Sequence, residues 1–405
     1  MKRWKKVILI LLVVVVLSQL PFAYRRYKLG KLHSAIQQLK SQRKPDQKAN
    51  DVYSEYKGVI HVHSFLGGHS TGTFEDIIVA ATANQLNFVI MTEHPSKNFD
   101  TSAMTLKGVH AGVLFVNGNE VATADQDRLL VMPGDETAAT DTNVSTPELL
   151  SRERAKRALA FIAYPQEFKS WSANDFDGVE VYNVFTNARR VNAVVTFFDG
   201  LWAYRSYPEL LFATFYTRPE DALKKWDEAI ATQNRKLVAI AGNDAHANIG
   251  VSLNDSSGRA LLGIKLDPYE RSFRLVRMHV LIAQDKSLTA ETLLAALHDG
   301  HCFIAFDLFS DASGFSFTAT NGTEKRIQGD EIKLGNSVRL TVNTPVSSRI
   351  VLIKDGNSVQ DQSGVSSKEF AVSEKGVYRV ELYLTQLAKP VSDQPWIISN
   401  PIYVR

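Results

Sequence analysis

Residues 58–70 read GVIHVHSFLGGHS, which puts His61, His63 and His69 within nine residues of one another. The apolar run Gly58 to Ile60 predicts a buried strand, and the imidazoles begin where that run ends. Neutral ring nitrogens on a rigid base are what a divalent metal site needs. Working outward, the same device returns. FVIMTEH (88–94) ends on His94, VLFVNGNE (113–120) ends on Glu120, and LVAIAGNDAH (237–246) ends on Asp244 and His246. A His-x-His pair alone is weak, and so is Asp-x-His. Together they place five of the ten histidines at strand ends, a distribution that chance placement of core or surface histidines does not favour.

Between about Tyr56 and Phe306, the order HVHS, His69, TEH, GNE, Ala163-Tyr164-Pro165 and GNDAH resembles the PHP (polymerase and histidinol phosphatase) metallohydrolases. The resemblance implies an α/β fold, a distorted (β/α)7 barrel with its metals at the C-terminal ends of the strands. That agrees with where barrel enzymes place their chemistry. It implies one metal on His61, His63, Glu120 and Asp244, and another on His69, His94 and His246. Glu120 would bridge to a third metal. Here the chain departs from the pattern, because Arg128-Leu129-Leu130 and Ala163-Tyr164-Pro165 stand where the family has histidines. Arginine keeps its proton and ligates no cation. Tyrosine ligates only as a phenolate, against a pKa of about 10. Two divalent ions (Zn, Mn or Fe) are therefore expected, with the third weak or absent. Arg128 is expected to stand in for it as a fixed positive charge on a substrate phosphate or carboxylate, with Tyr164 beside it for charge stabilisation or proton donation. A structural salt bridge is the plain alternative for Arg128.

A chain of 405 residues predicts two or three domains. Its one cysteine, Cys302, excludes an internal disulfide and a thiolate zinc site, and reads as a small buried hydrophobe within CFIAF. Of 46 Lys and Arg, twelve fall in the first 48 residues beside one acid, Asp46. Residues 49–405 thus carry 34 basic against 42 acidic groups. The basic arm suits anionic headgroups. The acidic body disfavours long nucleic acid but not a nucleotide or short oligonucleotide.

Val7 to Leu17 is unbroken and apolar, flanked by Lys5, Lys6, Arg25 and Arg26. It predicts an uncleaved signal anchor over residues 1–24, a single-pass transmembrane helix with the body outside the cytoplasm. A cleaved signal peptide is the alternative, but no small-x-small site follows. Residues 25–52 read as a basic stalk, helical or flexible, with a weak amphipathic pattern in LHSAIQQL. The PHP-like region is expected over 53–309, with Thr71 or Thr73 capping one helix and Thr146, before Pro147, capping another. Residues 183–215 interrupt it with Phe185, Phe197, Phe198, Trp202, Tyr204, Tyr207, Phe212 and Phe215. They form either packed core or an aromatic wall over the metals, with Arg189 and Arg190 as anion binders. From about residue 310 to 405, alternating strands between Gly, Asn and Asp turns predict an all-β, immunoglobulin-like sandwich. His279 and His298 are read as structural, and His301 is left unassigned.

The expected function is metal-dependent phosphoester hydrolysis by a metal-activated water, on a phosphomonoester, a nucleotide or an oligonucleotide 5′ end in the manner of a 5′–3′ exonuclease. Hydrolysis of a carbamate or carboxylic ester is the alternative, since the same centre serves carbonyl chemistry. From a different class come a non-catalytic membrane-anchored binding protein and an envelope role in which the sandwich binds a protein partner.

Overall fold

Short apolar runs become short buried strands, and polar turns carry what lies between them. A computed structural model describes residues 3–43, 52–135, 143–188, 192–248, 250–254, 260–265 and 267–405. The strands are β1 (Tyr53–Val62), β2 (Phe88–Met91), β3 (Gly108–His110), β4 (Val113–Val116), β5 (Asn119–Ala122) and β6 (Arg128–Met132). They continue with β7 (Leu159–Ala163), β8 (Gly178–Asn183), β9 (Val238–Gly242), β10 (Gly250–Asn254), β11 (Ala260–Lys265), β12 (Arg277–Ala283) and β13 (Cys302–Ala305). β2, β4, β7, β8 and β9 are buried along their whole length, and β2, β4, β7 and β9 accordingly read as continuous hydrophobic runs.

Two sets of hydrogen bonds organise this region. One path runs β13-β12-β1-β2-β4-β3, and a five-stranded sheet runs β5-β6-β7-β8-β9. Bridges Val62–Ala245 and Glu93–Asn119, both parallel, join the two. The sheets are mixed, not uniformly parallel as a regular alternation of strands and helices in a (β/α)7 barrel would give. β6 is antiparallel to both β5 and β7, and β1 is antiparallel to β12. Helix Phe74–Ala83 starts at Thr73, which accepts from the Asp76 amide while Asp76 accepts from the Thr73 amide. Helix Thr146–Ala155 starts one residue earlier than expected, with Ser145 at the N-cap. The Thr146 hydroxyl is instead turned inward, donating to Asp127 Oδ2 at 2.8 Å.

The first helix, Arg3–Gln42, runs unbroken through the apolar run and the basic segment. Its first half is exposed, and it is long and apolar enough to cross a membrane. Its second half docks on the body. Leu29, Leu32, Ile36 and Leu39 are buried, at the three- and four-residue spacing of one helical face.

The C-terminal strands are β14 (Ser316–Thr320), β15 (Lys325–Ile327), β16 (Glu331–Ile332), β17 (Val338–Lys354), β18 (Asn357–Val372), β19 (Gly376–Tyr383), β20 (Ile397–Ser399) and β21 (Ile402–Val404). β17 changes partner along its length. It pairs with β14 over residues 339–343 and with β19 over 349–354. Between those two stretches its pairing with β18 shifts register, from Asn343 to Ser348 and again from Ser348 to Ile350. β20 pairs with both β19 and β13, so the C-terminal strands continue the path that contains β1. Asn400 locks the junction, donating to Ala239 O and Cys302 O and accepting from the Ala239 amide. Cys302 is fully buried there.

Candidate metal centre

The centre is built where β1, β2 and β9 end and β5 begins. A register shift interrupts the β1–β2 pairing between Ile60 and Val62. His61 occupies that bulge with φ 67°, Asp244 follows β9 with φ 48°, and Tyr164 follows β7 with φ 50°. Bulges re-aim side chains. Left-handed backbone at a non-glycine residue costs of order 1–3 kcal/mol at bulky positions and persists where the surroundings impose it. Three such residues surround one point.

Four buried groups converge. His61, His63, Glu120 and Asp244 each offer one donor atom within 4.8 Å of the others. His61 Nε2 lies 3.3 Å from Glu120 Oε2 and 3.5 Å from Asp244 Oδ1. His63 Nε2 lies 3.5 and 3.6 Å from the same two oxygens. A second group, His63, His94 and His246, meets the same distance limit. The His94 and His246 rings stack on the His63 ring at centroid distances of 4.4 and 4.2 Å. His69, grouped with His94 and His246 by the family resemblance, stands exposed at the rim with its ring 5.0 Å from that of His94. Both His63 ring nitrogens and Asp244 Oδ1 are buried without a hydrogen-bond partner. Such groups are costly unless something pairs with them. The donor set of imidazoles and carboxylates fits a borderline or hard divalent cation, so these residues could hold metal ions.

The electrostatics follow from burial. Burial pushes His63 down to about 3 and His94 down to about 4, with neighbouring imidazoles adding to both shifts. Both rings are therefore neutral near pH 7, the state a ligand requires. His61 goes the other way. Burial opposes its charge, but Glu180 and Asp244 outweigh burial and raise it well above the usual range. A metal ion would compete with the proton that His61 otherwise carries. For Glu120, burial is offset by His61, His63 and His94, which bring it down to about 2.

Several residues beyond the sequence-based candidates hold these groups in place. Glu180, in the middle of β8, accepts from His61 Nδ1 at 2.6 Å and fixes its Nε2 toward the centre. Gly242 lies against that carboxylate so closely that any Cβ would overlap it. Asn183 donates to Glu180 Oε2 at 3.0 Å and to Asp244 Oδ2 at 3.2 Å. Glu93 accepts from the Ser64 amide at 3.0 Å and from Thr105 at 2.8 Å, tying down the loop after His63. Their signal in the sequence was an acid inside an apolar run, as in GVEVYN, since a buried carboxylate demands a partner.

Arg128 and Tyr164 both reach the centre. Arg128 Nη1 lies 3.2 Å from Glu120 Oε1, with nearly half of its side chain exposed to the cavity. Tyr164 donates its hydroxyl to Asp244 Oδ2 at 2.9 Å. Burial, then the charges of Asp244, Glu120 and Glu180, push its pKa far up, so it remains a neutral phenol. A cavity of about 410 Å3 opens over the centre, walled by Pro95, Phe185 and Glu167 among others. The aromatic segment 183–215 therefore divides. Phe185 lines the cavity, Phe212 joins the core, and Phe197 is exposed. Arg189 and Arg190 lie outside the described residues.

His279 is part of a separate buried charge network, between Glu55 at 2.6 Å and Asp307 at 3.2 Å. His298 pairs with its neighbour Asp299 at the surface, and His301 with Asp330.

No protein-family model and no curated protein matches the chain. Among solved structures, it is similar to a two-domain protein from Bacteroides vulgatus containing a predicted PHP-like metal-dependent phosphoesterase. Identity is 13%, over 89% of this chain and 99% of that one, with a TM-score of 0.41. It is also similar to PsfC from Pseudomonas syringae, at 12% identity over 62% of this chain and 92% of that one, with a TM-score of 0.38.

Proposed function

We propose that the chain is a metal-dependent phosphoesterase of PHP type, anchored to a membrane by its first helix. The observation that carries this reading is the unpartnered, fully buried His63 facing Glu120 and Asp244. Two unsatisfied nitrogens on one buried imidazole call for a partner, and a divalent ion between His63, Glu120 and Asp244 would supply it. His61, His63, Glu120 and Asp244 would hold one divalent ion. His94 and His246 would hold a second, with His69 completing it from the rim. Ions bound there would polarise a phosphoryl oxygen and acidify a water toward neutrality.

The chain's own residues supply the rest. Glu180 and Asn183 orient His61 and Asp244, and Tyr164 gives Asp244 a neutral hydrogen bond, not a proton. Arg128 takes the place of a third ion. Glu120 turns Oε2 to the histidines and Oε1 to Arg128, so one carboxylate links the metal ligands to a fixed cation. The guanidinium fork suits a phosphate oxygen pair better than a carbonyl, which favours phosphoesters over carbamates or carboxylic esters. A small phosphorylated molecule, a nucleotide or an oligonucleotide 5′ end all present such a group.

The same reading extends to the architecture. With β4 and β5 taken as one bent strand, the pairings and the two bridges would close a ring of β1, β2, β4/β5, β6, β7, β8 and β9, a distorted seven-membered barrel. Residues 310–405 would form the second domain, with β17 shared between two layers of a sandwich.

Arg128→Ala tests the assignment. Metal content should be retained while phosphomonoester hydrolysis falls about 10²–10³-fold, the usual loss of one transition-state cation or donor. Unchanged hydrolysis with metal retained would reduce Arg128 to a structural partner of Glu120.

A further inference from the structure

Helix Ala193–Ala203 packs inside out. Val194, Phe197 and Leu201, spaced by three and four residues, form one apolar face, and they are 65%, 61% and 66% exposed. Its one acid, Asp199, is turned inward and buried, where it pairs with Arg25 of the first helix through contacts of 2.7 and 2.6 Å. A soluble surface helix has the opposite arrangement.

Its neighbour explains the reversal. Phe198 stacks on Phe22 at 4.9 Å, and Trp202 donates to Gln19 at 3.0 Å. The short helix therefore lies beside residues 19–25 of the first helix, where the exposed apolar run ends. From Val7 to Phe22 the charge-free stretch rises about 23 Å at 1.5 Å per residue, against the roughly 30 Å of a bilayer's hydrocarbon core. Exposed Tyr24 and Tyr27 follow, with Arg26 between them and Lys28 and Lys31 after them. Aromatic rings and then cations at the end of an apolar span are what a membrane interface selects.

We propose that the Val194–Phe197–Leu201 face is a second membrane contact, dipping into the acyl layer beside the anchor and seating the body on the bilayer. It rests on the anchor reading and goes beyond it, since a lone anchor leaves the body free to tilt. The helix follows in sequence on Asn183, which ends β8 and donates to Asp244. The occupant is lipid, not a second copy, because the face continues the exposed apolar surface of the first helix and is flanked by cations suited to anionic headgroups.

The test uses the full chain in vesicles of phosphatidylcholine and phosphatidylglycerol, with and without brominated acyl chains. Native Cys302 is buried and stays unlabelled. A small fluorophore is placed on Phe197→Cys or Leu201→Cys, on Val13→Cys as the anchor reference, and on Ser358→Cys as the aqueous reference. All four sites are exposed, so folding should survive, and retained metal content reports it. We expect labels at 197 and 201 to be quenched by brominated chains as strongly as at 13, and several-fold less by iodide than at 358. Quenching at 13 with open iodide access at 197 and 201 would overturn the proposal and leave the anchor standing. Protection from both quenchers would assign the face to a second copy and overturn it equally. No lipid quenching at 13 would sink the anchor reading and this inference with it.

Discussion

At the level of single residues, the candidate ligands His61, His63, His94, Glu120, Asp244 and His246 stood out because each lies at or just beyond the end of an apolar run. Their supports were not legible in the same way. Glu180 is a lone acid between Val179 and Val181, and nothing in its spacing says that its partner lies 119 residues away at His61. The Glu180 carboxylate fills the space that a Cβ at Gly242 would take. Glu180→Gln should leave the fold intact and weaken divalent metal binding about 10–100-fold, as outer-shell substitutions do. Titration of zinc or manganese into the variant measures this, and an unchanged affinity would demote Glu180 to packing. His279 gives a pH prediction. Burial lowers its pKa, but Asp307 and Glu55 more than compensate and raise it to about 9. A raised folded-state pKa contributes stability that is complete below the ordinary value of about 6.5 and is lost as pH rises through about 9. Denaturant midpoints should therefore decline between pH 6.5 and 9 in the native chain and less steeply in His279→Gln. Equal slopes would remove His279 from the balance.

Among the elements, strand existence was readable and strand direction was not. Period and length mark β6 as buried, but an antiparallel β6 and a parallel one have the same composition, so the uniform βα rhythm misled. The docking of the first helix was half-visible. Leu29, Leu32, Ile36 and Leu39 have the right spacing, but the Lys and Gln residues between them dilute the stripe. The tail PWIISNPIYVR has a physical role in the fold. Asn400 satisfies backbone groups of both β9 and Cys302 at once. Asn400→Ala would leave those groups buried and unpaired at about 1–3 kcal/mol each, lowering the melting temperature. Because β9 carries Asp244 at its end, metal retention should fall in parallel. A melting temperature unchanged from the native chain would show that water replaces the side chain without cost.

For the molecule as a whole, three parts act on one another. The first helix, the sheets that carry the candidate metal centre and the C-terminal strands share one hydrophobic core, which includes Leu32, Ile240 and Leu382. Salt bridges cross the same boundary, from Arg218 to Glu381 at 2.7 Å and from Arg379 to Asp227 at 2.8 Å. The sequence divided the chain at about residue 310 because its texture changes there from mixed to alternating. Packing across that point depends on contacts such as β13 with β20 that no local pattern announces. The buried donor set is put to the test by metal analysis of the detergent-solubilised full chain and of His63→Ala, combined with hydrolysis of a phosphomonoester, a phosphodiester and a carboxylic ester. About two divalent ions per native chain are expected, as in two-metal hydrolytic sites. Phosphoester turnover should exceed ester turnover, and the variant should lose both metal and turnover. Native protein that binds no divalent ion under metal-replete conditions, or a His63→Ala variant that keeps full metal and full activity, would contradict the metal-site assignment.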